Sequence, residues 1–337
     1  MDIRTALTRL VARHSFSESE MEATMRQLME GAATPAQIGA WLMGLRMKGE
    51  TVEEITGAAR AMRAHATRIH PRAAVVVDTC GTGGDLRGTF NISTAAAFIA
   101  AGAGLTVAKH GNRAMSGTVG GADVLEALGV KIDLPPERVA DCIDTVGIGF
   151  LFAPTFHPAM RHAAGPRREL GVRTIFNLLG PLSNPAGARH QVVGVFAPEW
   201  TEPLAQALGR LGCVHAMVVH GDDGLDEISL RSSTQVSECK DGVLRTYRMT
   251  PEELGFSRCH EGDLDGGDRD TAASILRGIL AGASGPRADI ATLNAAAAIY
   301  VGGRAASLAA AIDAARESIR SGRARQKMLQ LIEFTNR

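Results

Sequence analysis

The chain has 337 residues, 45% hydrophobic and 4% aromatic, and its formal net charge is zero. That length suits two domains or one large α/β domain with an extra lobe. The scarcity of aromatics argues against stacking platforms for single-stranded nucleic acid, and balanced charge gives no sign of a polyanion partner. No run of about 18 apolar residues reads as a membrane span. The opening stretch MDIRTALTRL lacks the apolar core of a signal peptide. Five scattered cysteines without a C-x-x-C suit reduced thiols, so a cytoplasmic location is expected.

The first seventy residues read as helices. Ser17 and Glu20 form a capping-box pattern, with Phe16 and Met21 as a hydrophobic staple, and Gly31 closes the element. Thr34-Pro35 with Gln37 opens a second helix that ends at Gly49, and Thr51 with Glu54 opens a third. Each is apolar on one side and needs a partner surface: the rest of the chain, or a second copy.

From residue 73 the pattern becomes an alternation. Short apolar runs at 74–77, 105–108, 191–196 and 216–220 alternate with helical stretches at 92–103, 122–128, 137–146, 157–170, 199–211 and 271–281. This predicts an α/β protein with a mainly parallel sheet flanked by helices. No strong strand separates 137–146 from 157–170, so the helices from about 131–185 are expected to join residues 1–70 in a small all-helical lobe. Residues 71–130 and 186–337 form the larger lobe, with two more helices from 289 on.

Three strand ends carry chemistry. The stretch 78–94, DTCGTGGDLRGTFNIST, puts glycines and small hydroxyl residues between an apolar run and a helix start. Bare backbone N–H groups there suit a phosphate or pyrophosphate, although the pattern is neither the dinucleotide fingerprint nor the P-loop. Lys109-His110-Gly111-Asn112-Arg113 follows the second run. Gly221-Asp222-Asp223-Gly224-Leu225-Asp226-Glu227 follows the run at 216–220, and its adjacent carboxylates suggest magnesium. His157 and His162 are five apart, which is not the i, i+4 metal spacing, so no zinc is assigned.

Taken in order, G-T-G-G-D (81–85), N-I-S-T (91–94), K-H-G-N-R (109–113), A-D-V-L-E-A-L-G (122–129), F-L-F-A-P (150–154), F-N-L-L-G-P-L-S-N-P (176–185) and G-L-D-E-I-S (224–229) resemble the anthranilate phosphoribosyltransferases. The likeness runs from residue 5 to about 330. It implies a helical lobe plus an α/β lobe akin to the pyrimidine nucleoside phosphorylases, and a homodimer formed through the helical lobe. It also implies transfer of the phosphoribosyl group of 5-phosphoribosyl pyrophosphate (PRPP) to the amine of anthranilate, in tryptophan biosynthesis.

The same resemblance assigns roles. Gly81, Gly83, Gly84, Asp85, Thr89, Asn91, Ser93, Thr94, Lys109, Ser116 and Gly120 would bind PRPP. Gly81, His110, Asn112, His157, Arg167 and Gly180 would bind anthranilate, with Arg167 facing its carboxylate. Two Mg2+ ions per site are implied, Ser93 on one and Asp226 with Glu227 on the other, and no residue is assigned as a general base. After K-H-G-N-R the family often reads Ser-Ser-x-Ser-Gly with a basic residue at x, where this chain has Ser116-Gly117-Thr118-Val119-Gly120. Two hydroxyls and a cation are missing there, which shifts the expected burden onto Lys109, Asn91–Thr94 and magnesium. A nucleoside phosphorylase, a transferase for another aromatic acceptor and a non-enzymatic nucleic-acid-binding relative are the rival readings.

Overall fold

A computed structural model describes residues 1–84, 87–114 and 119–337. Four helices come first: α1 (Ile3–Val11), α2 (Glu18–Met29), α3 (Pro35–Lys48) and α4 (Val52–His65). The three capping boxes read from the sequence all form, at Ser17/Glu20, Thr34/Gln37 and Thr51/Glu54, each satisfying backbone donors at both ends of the box. Glu54 also does a second job. It is fully buried, accepts the Phe16 N–H at 3.0 Å and pairs with Lys48 at 2.8 Å, tying the α1–α2 loop to the end of α3.

The chain continues through β1 (Val76–Asp78), α5 (Ile92–Gly102), β2 (Thr106–Gly111), α6 (Gly121–Leu128), α7 (Pro136–Val146), β3 (Ile148–Phe152), α8 (Ala153–Phe156), α9 (Arg161–Leu170) and α10 (Phe176–Leu179). Then come β4 (His190–Gly194), α11 (Thr201–Arg210), β5 (His215–Gly221), β6 (Thr234–Lys240), β7 (Val243–Met249), α12 (Arg269–Leu280), α13 (Pro286–Val301), α14 (Leu308–Arg320) and α15 (Arg323–Thr335). The strands form one sheet in the order β3-β2-β1-β4-β5-β6-β7. The first five are parallel, and β6 and β7 add an antiparallel hairpin. The hairpin leaves β7 at one edge, with Arg245, Thr246, Tyr247 and Arg248 exposed.

Successive side chains on a strand face opposite sides, and the two cores show it. Met217 and Val219 of β5 join the cluster built around α5 and α13, whose alanine-rich surfaces are buried nearly all round. Ala216 and Val218 join the other cluster, which runs through α11 into the N-terminal helices. One face of the sheet thus shares its core with the helical lobe.

The structure differs from the sequence expectation in several places. A strand, β3, lies between α7 and α9 and pairs along its whole length with β2. The contacts of the 131–185 stretch are accordingly divided: α7 packs on β2, β3 and α15, while α9 packs on α3 and α2. The expected helices at 157–170 and 199–211 each begin as a short 3-10 turn, at Pro158–Met160 and Pro198–Trp200, before the α-helix proper. From 286 on there are three helices rather than two, because Gly322, at φ +75°, breaks the last segment.

Candidate active site

Strand order reverses about β1 and β4, and ligands of open α/β sheets sit in the crevice beyond the carboxyl ends of such strands. Three of the sequence motifs converge there. The loop after β1 is pinned to the end of β4: the Thr82 N–H donates to the Gly194 carbonyl at 2.8 Å, and the Phe196 N–H donates to Thr82 Oγ1 at 3.1 Å. Gly83 and Gly84 adopt φ +64° and +80°, which other residues rarely do, so the turn of this loop depends on glycine.

The acidic loop after β5 closes the crevice from the other side. A Cβ on Gly194 would lie 1.5 Å from the Asp226 carbonyl oxygen, so only glycine lets that loop pass. A Cβ on Gly81 would lie 3.1 Å from Asp226 Oδ2, which sets the first glycine of the loop against the carboxylate. The Ser93 N–H, in the first turn of α5, donates to Glu227 Oε1 at 3.1 Å. Thr79, Gly81, Ser93, Gly194 and Glu227 together line one cleft.

Strand β2 divides the site in two. Lys109 and His110 are consecutive, so their side chains leave opposite faces. Lys109 is buried, and its Nζ donates to the Thr79 carbonyl at 2.9 Å and to Ser93 Oγ at 3.1 Å. At the same helix start, Asn91 Oδ1 and Thr94 Oγ1 are buried without a hydrogen-bond partner among the described residues. Asn91 Nδ2 is engaged by the Val119 carbonyl at 3.1 Å.

His110 points the other way. Its Nδ1 meets the Gly180 carbonyl at 3.2 Å, and its ring centroid is 5.1 Å from that of His157. Both Nε2 atoms are buried and unpartnered among the described residues. Burial pushes the His110 imidazole down to about 3, reinforced by its neighbour His157, and burial pushes His157 down to about 4. Both are therefore neutral at pH 7. Their folded-state values lie below the unfolded value, so the unfolded chain takes up these protons first, and stability present above about pH 6.5 is lost as pH falls toward 4 and then 3. In a histidine NMR titration, the His110 and His157 imidazoles are expected to stay neutral at pH 5. Protonation of both near 6.5 would contradict this burial.

Arg167, on α9, is half-buried, with its guanidinium 5.0 Å over the Phe176 ring, whereas Arg168 is exposed. Among the described residues no carboxylate pairs with Arg167. Asn112 is exposed, with Oδ1 accepting the Arg113 N–H at 2.8 Å, and Arg113 itself turns to Asp123 and Glu126. Gly120 caps α6 and donates to Asp123 at 2.8 Å. Thr89 is half-buried and bridges to Asp265. Gly180 has open space where a Cβ would stand. Asp85 and Ser116, both expected at the PRPP site, lie outside the described residues.

Two features escaped the sequence reading. Arg173 donates to the Gly84 carbonyl with its guanidinium 4.3 Å over the Phe196 ring, bracing the glycine loop from the α9–α10 connection. Asp78, Cys80 and His110 form a carboxylate–thiol–imidazole group with ligand atoms within 4.8 Å of one another. Both Asp78 oxygens already accept hydrogen bonds, and burial pushes the Cys80 thiol up, keeping it protonated. A thiol and an imidazole are in any case poor ligands for Mg2+, which prefers oxygen.

A glycosyl transferase family supplies the match to known proteins: its helical bundle domain fits residues 4–66 and its a/b domain residues 73–325. The anthranilate phosphoribosyltransferase of Thioalkalivibrio sulfidiphilus is 55% identical over 335 residues, covering 99% of each chain. That of Symbiobacterium thermophilum is 55% identical over 333 residues, covering 98% of each. The chain belongs to the anthranilate phosphoribosyltransferase family. The crystal structure of the anthranilate phosphoribosyltransferase from Thermus thermophilus matches at a TM-score of 0.93 and 44% identity, over 98% of this chain and 99% of that one. The anthranilate phosphoribosyltransferase of Saccharomyces cerevisiae in complex with PRPP and Mg matches at 0.89 and 26% identity, over 99% and 98%.

Proposed function

We propose that this chain transfers the phosphoribosyl group of PRPP to the amine of anthranilate, giving N-(5'-phosphoribosyl)-anthranilate and pyrophosphate in tryptophan biosynthesis. Full-length family membership supports the reaction, and the observation that carries it in the structure is the partition by β2. A cation and the Ser93 amide at the helix start stand on one side of that strand, and two buried, neutral imidazoles on the other. The first half suits a pyrophosphate and the second a planar aromatic acid.

In this reading the α5 start, Asn91, Ser93, Thr94 and Lys109 bind the phosphates, with Gly81, Gly83, Gly84, Thr89, Gly120, Asp85 and Ser116 completing the PRPP site. His110, Asn112, His157 and Gly180, with Gly81, shape the anthranilate pocket. Arg167 bonds both carboxylate oxygens through its planar fork. Magnesium, when bound, supplies charge neutralisation for the departing pyrophosphate. Ser93 and Glu227 line one cleft and Asp226 Oδ2 stands beside its Gly81, an oxygen donor set of the kind that cation prefers, and two ions per site are proposed.

The chemistry asks little of a general base. The aromatic amine is neutral at pH 7 and attacks the anomeric carbon as its bond to pyrophosphate breaks. The new nitrogen centre then sheds its proton unaided, being a strong acid. What the protein contributes is placement of the two reactants and a preorganised cradle for the charge that leaves.

A homodimer is proposed through the helical lobe, where Val11 and Met47 stand 88% and 69% exposed. Among the described residues no helix is long and apolar enough to cross a membrane, and a cytoplasmic enzyme without a nucleic-acid partner is proposed. Loss of anthranilate fluorescence on incubation with PRPP and Mg2+ tests the reaction. Persistent fluorescence, with PRPP consumed only when another aromatic amine is supplied, would replace anthranilate as the acceptor.

Arg167→Ala is expected to raise KM for anthranilate about ten- to a hundred-fold, since a hydrogen bond to a charged group contributes roughly 1.5–3 kcal/mol. KM for PRPP should move far less. A selective defect from Arg168→Ala instead would show that the wrong arginine has been chosen.

A further inference from the structure

Building on the reaction proposed above, we propose that Asp78 is a positioning residue for the acceptor half of the site, fixing the His110 backbone and, through Asn184, the wall formed by 176–185. The carboxylate is fully buried at the carboxyl end of β1. Its Oδ1 accepts the His110 N–H at 3.1 Å, and its Oδ2 accepts from Asn184 Nδ2 at 2.7 Å. Asn184 Nδ2 also donates to the Ala108 carbonyl at 2.8 Å, and Asn184 Oδ1 accepts the Ala186 N–H at 2.8 Å. The 176–185 segment is therefore held twice: by Asn184 on Asp78, and by the Gly180 carbonyl on the His110 ring.

Donor pattern dictates the residue type. Two N–H groups converge on position 78 from different elements, and a side-chain amide offers an acceptor at only one of its two ends. A carboxylate offers two. Its setting is unfavourable for stability, since burial pushes the carboxyl up to about 6 despite Asn184 and the Lys109 ammonium. Well-packed apolar side chains commonly serve stability better than buried charge. A buried anion kept where it touches the backbone of an acceptor-pocket residue points to geometry. Lys109 Nζ is held by Thr79 and Ser93 rather than by Asp78, so the phosphate half has its own support.

The test is a pair of single variants and their exchange. Asp78→Asn sets an amide N–H against one of the two donors, and is expected to raise KM for anthranilate about tenfold while KM for PRPP changes less than about threefold. Asn184→Asp should show a similar selective defect. The double variant Asp78→Asn/Asn184→Asp restores a donor facing an acceptor between the two side chains, although a carboxylate oxygen then meets the Ala108 carbonyl, and should bring KM for anthranilate below that of either single variant. A merely structural role would lower the thermal midpoint without splitting the two constants. If Asp78→Asn does not fold, Asn184→Ala carries the test: a selective rise of about threefold or more supports the role, and an unchanged acceptor KM overturns it. Parent turnover tests the reaction itself. Intact parent turnover with both constants shifted equally in the variants, or with no rescue by the exchange, overturns only the role of Asp78.

Discussion

Replacing Asp226 and Glu227 together by Ala is expected to lower kcat/KM about a thousandfold, equivalent to about 4 kcal/mol of lost transition-state stabilisation. The reasoning is geometric. Gly194 and Gly81 allow the acidic loop to approach the phosphate loop, and Glu227 already receives the Ser93 N–H across the cleft. In the reading proposed above, removing both carboxylates strips two magnesium ligands from the place where pyrophosphate leaves. The fold should persist, because the backbone packing of Asp226 on Gly194 does not involve its side chain. Steady-state turnover across a magnesium titration, with circular dichroism as the folding control, checks this. Full activity at ordinary magnesium would remove both residues from the metal site.

Lys109→Ala is expected to raise KM for PRPP about a hundredfold and to destabilise the protein by about 1–3 kcal/mol, the cost of leaving a buried polar group unsatisfied. The ammonium is buried and bridges Thr79 to Ser93, the first just ahead of the glycine loop and the second inside the helix that starts the phosphate site. No second cation is supplied by residues 116–120, where the chain reads Ser-Gly-Thr-Val-Gly. Lys109→Met, which keeps the stem but not the charge, separates packing from charge. If it matched the parent in KM for PRPP, the phosphate role would fail. Thermal unfolding read beside the kinetics keeps the two effects apart.

The parts of this molecule that were legible in its sequence are those written locally. The three capping boxes are four-residue patterns, and the glycine and acidic loops are continuous runs at strand ends. Strand β3 was missed because Gly147 and Gly149 dilute its apolar run and a single residue separates it from α7. The β6–β7 hairpin was missed although its turn is plainly marked. Asp241-Gly242, with φ of 49° and 81°, joins two seven-residue strands, and Asp-Gly between strands is a strong hairpin signal. Its strands read TQVSECK and VLRTYRM, too polar for a search keyed on apolar runs.

In the site, the side on which Lys109 and His110 fall follows from alternation once β2 is known. The partners of Asp78 do not follow in the same way. Its bonds reach 32 and 106 residues along the chain, and nothing local marks an aspartate that ends a strand as buried rather than as the start of a loop.

The exposed strand β7 bears on how copies of this chain meet. An open sheet edge presents unpaired amides and carbonyls to any passing strand, and natural proteins blunt such edges with charge. Here Arg245 and Arg248 stand along it, the latter drawn to Asp222. Two such edges approaching each other would bring like charges together before any ladder could form. Edge-to-edge pairing of two sheets through β7 is thereby discouraged.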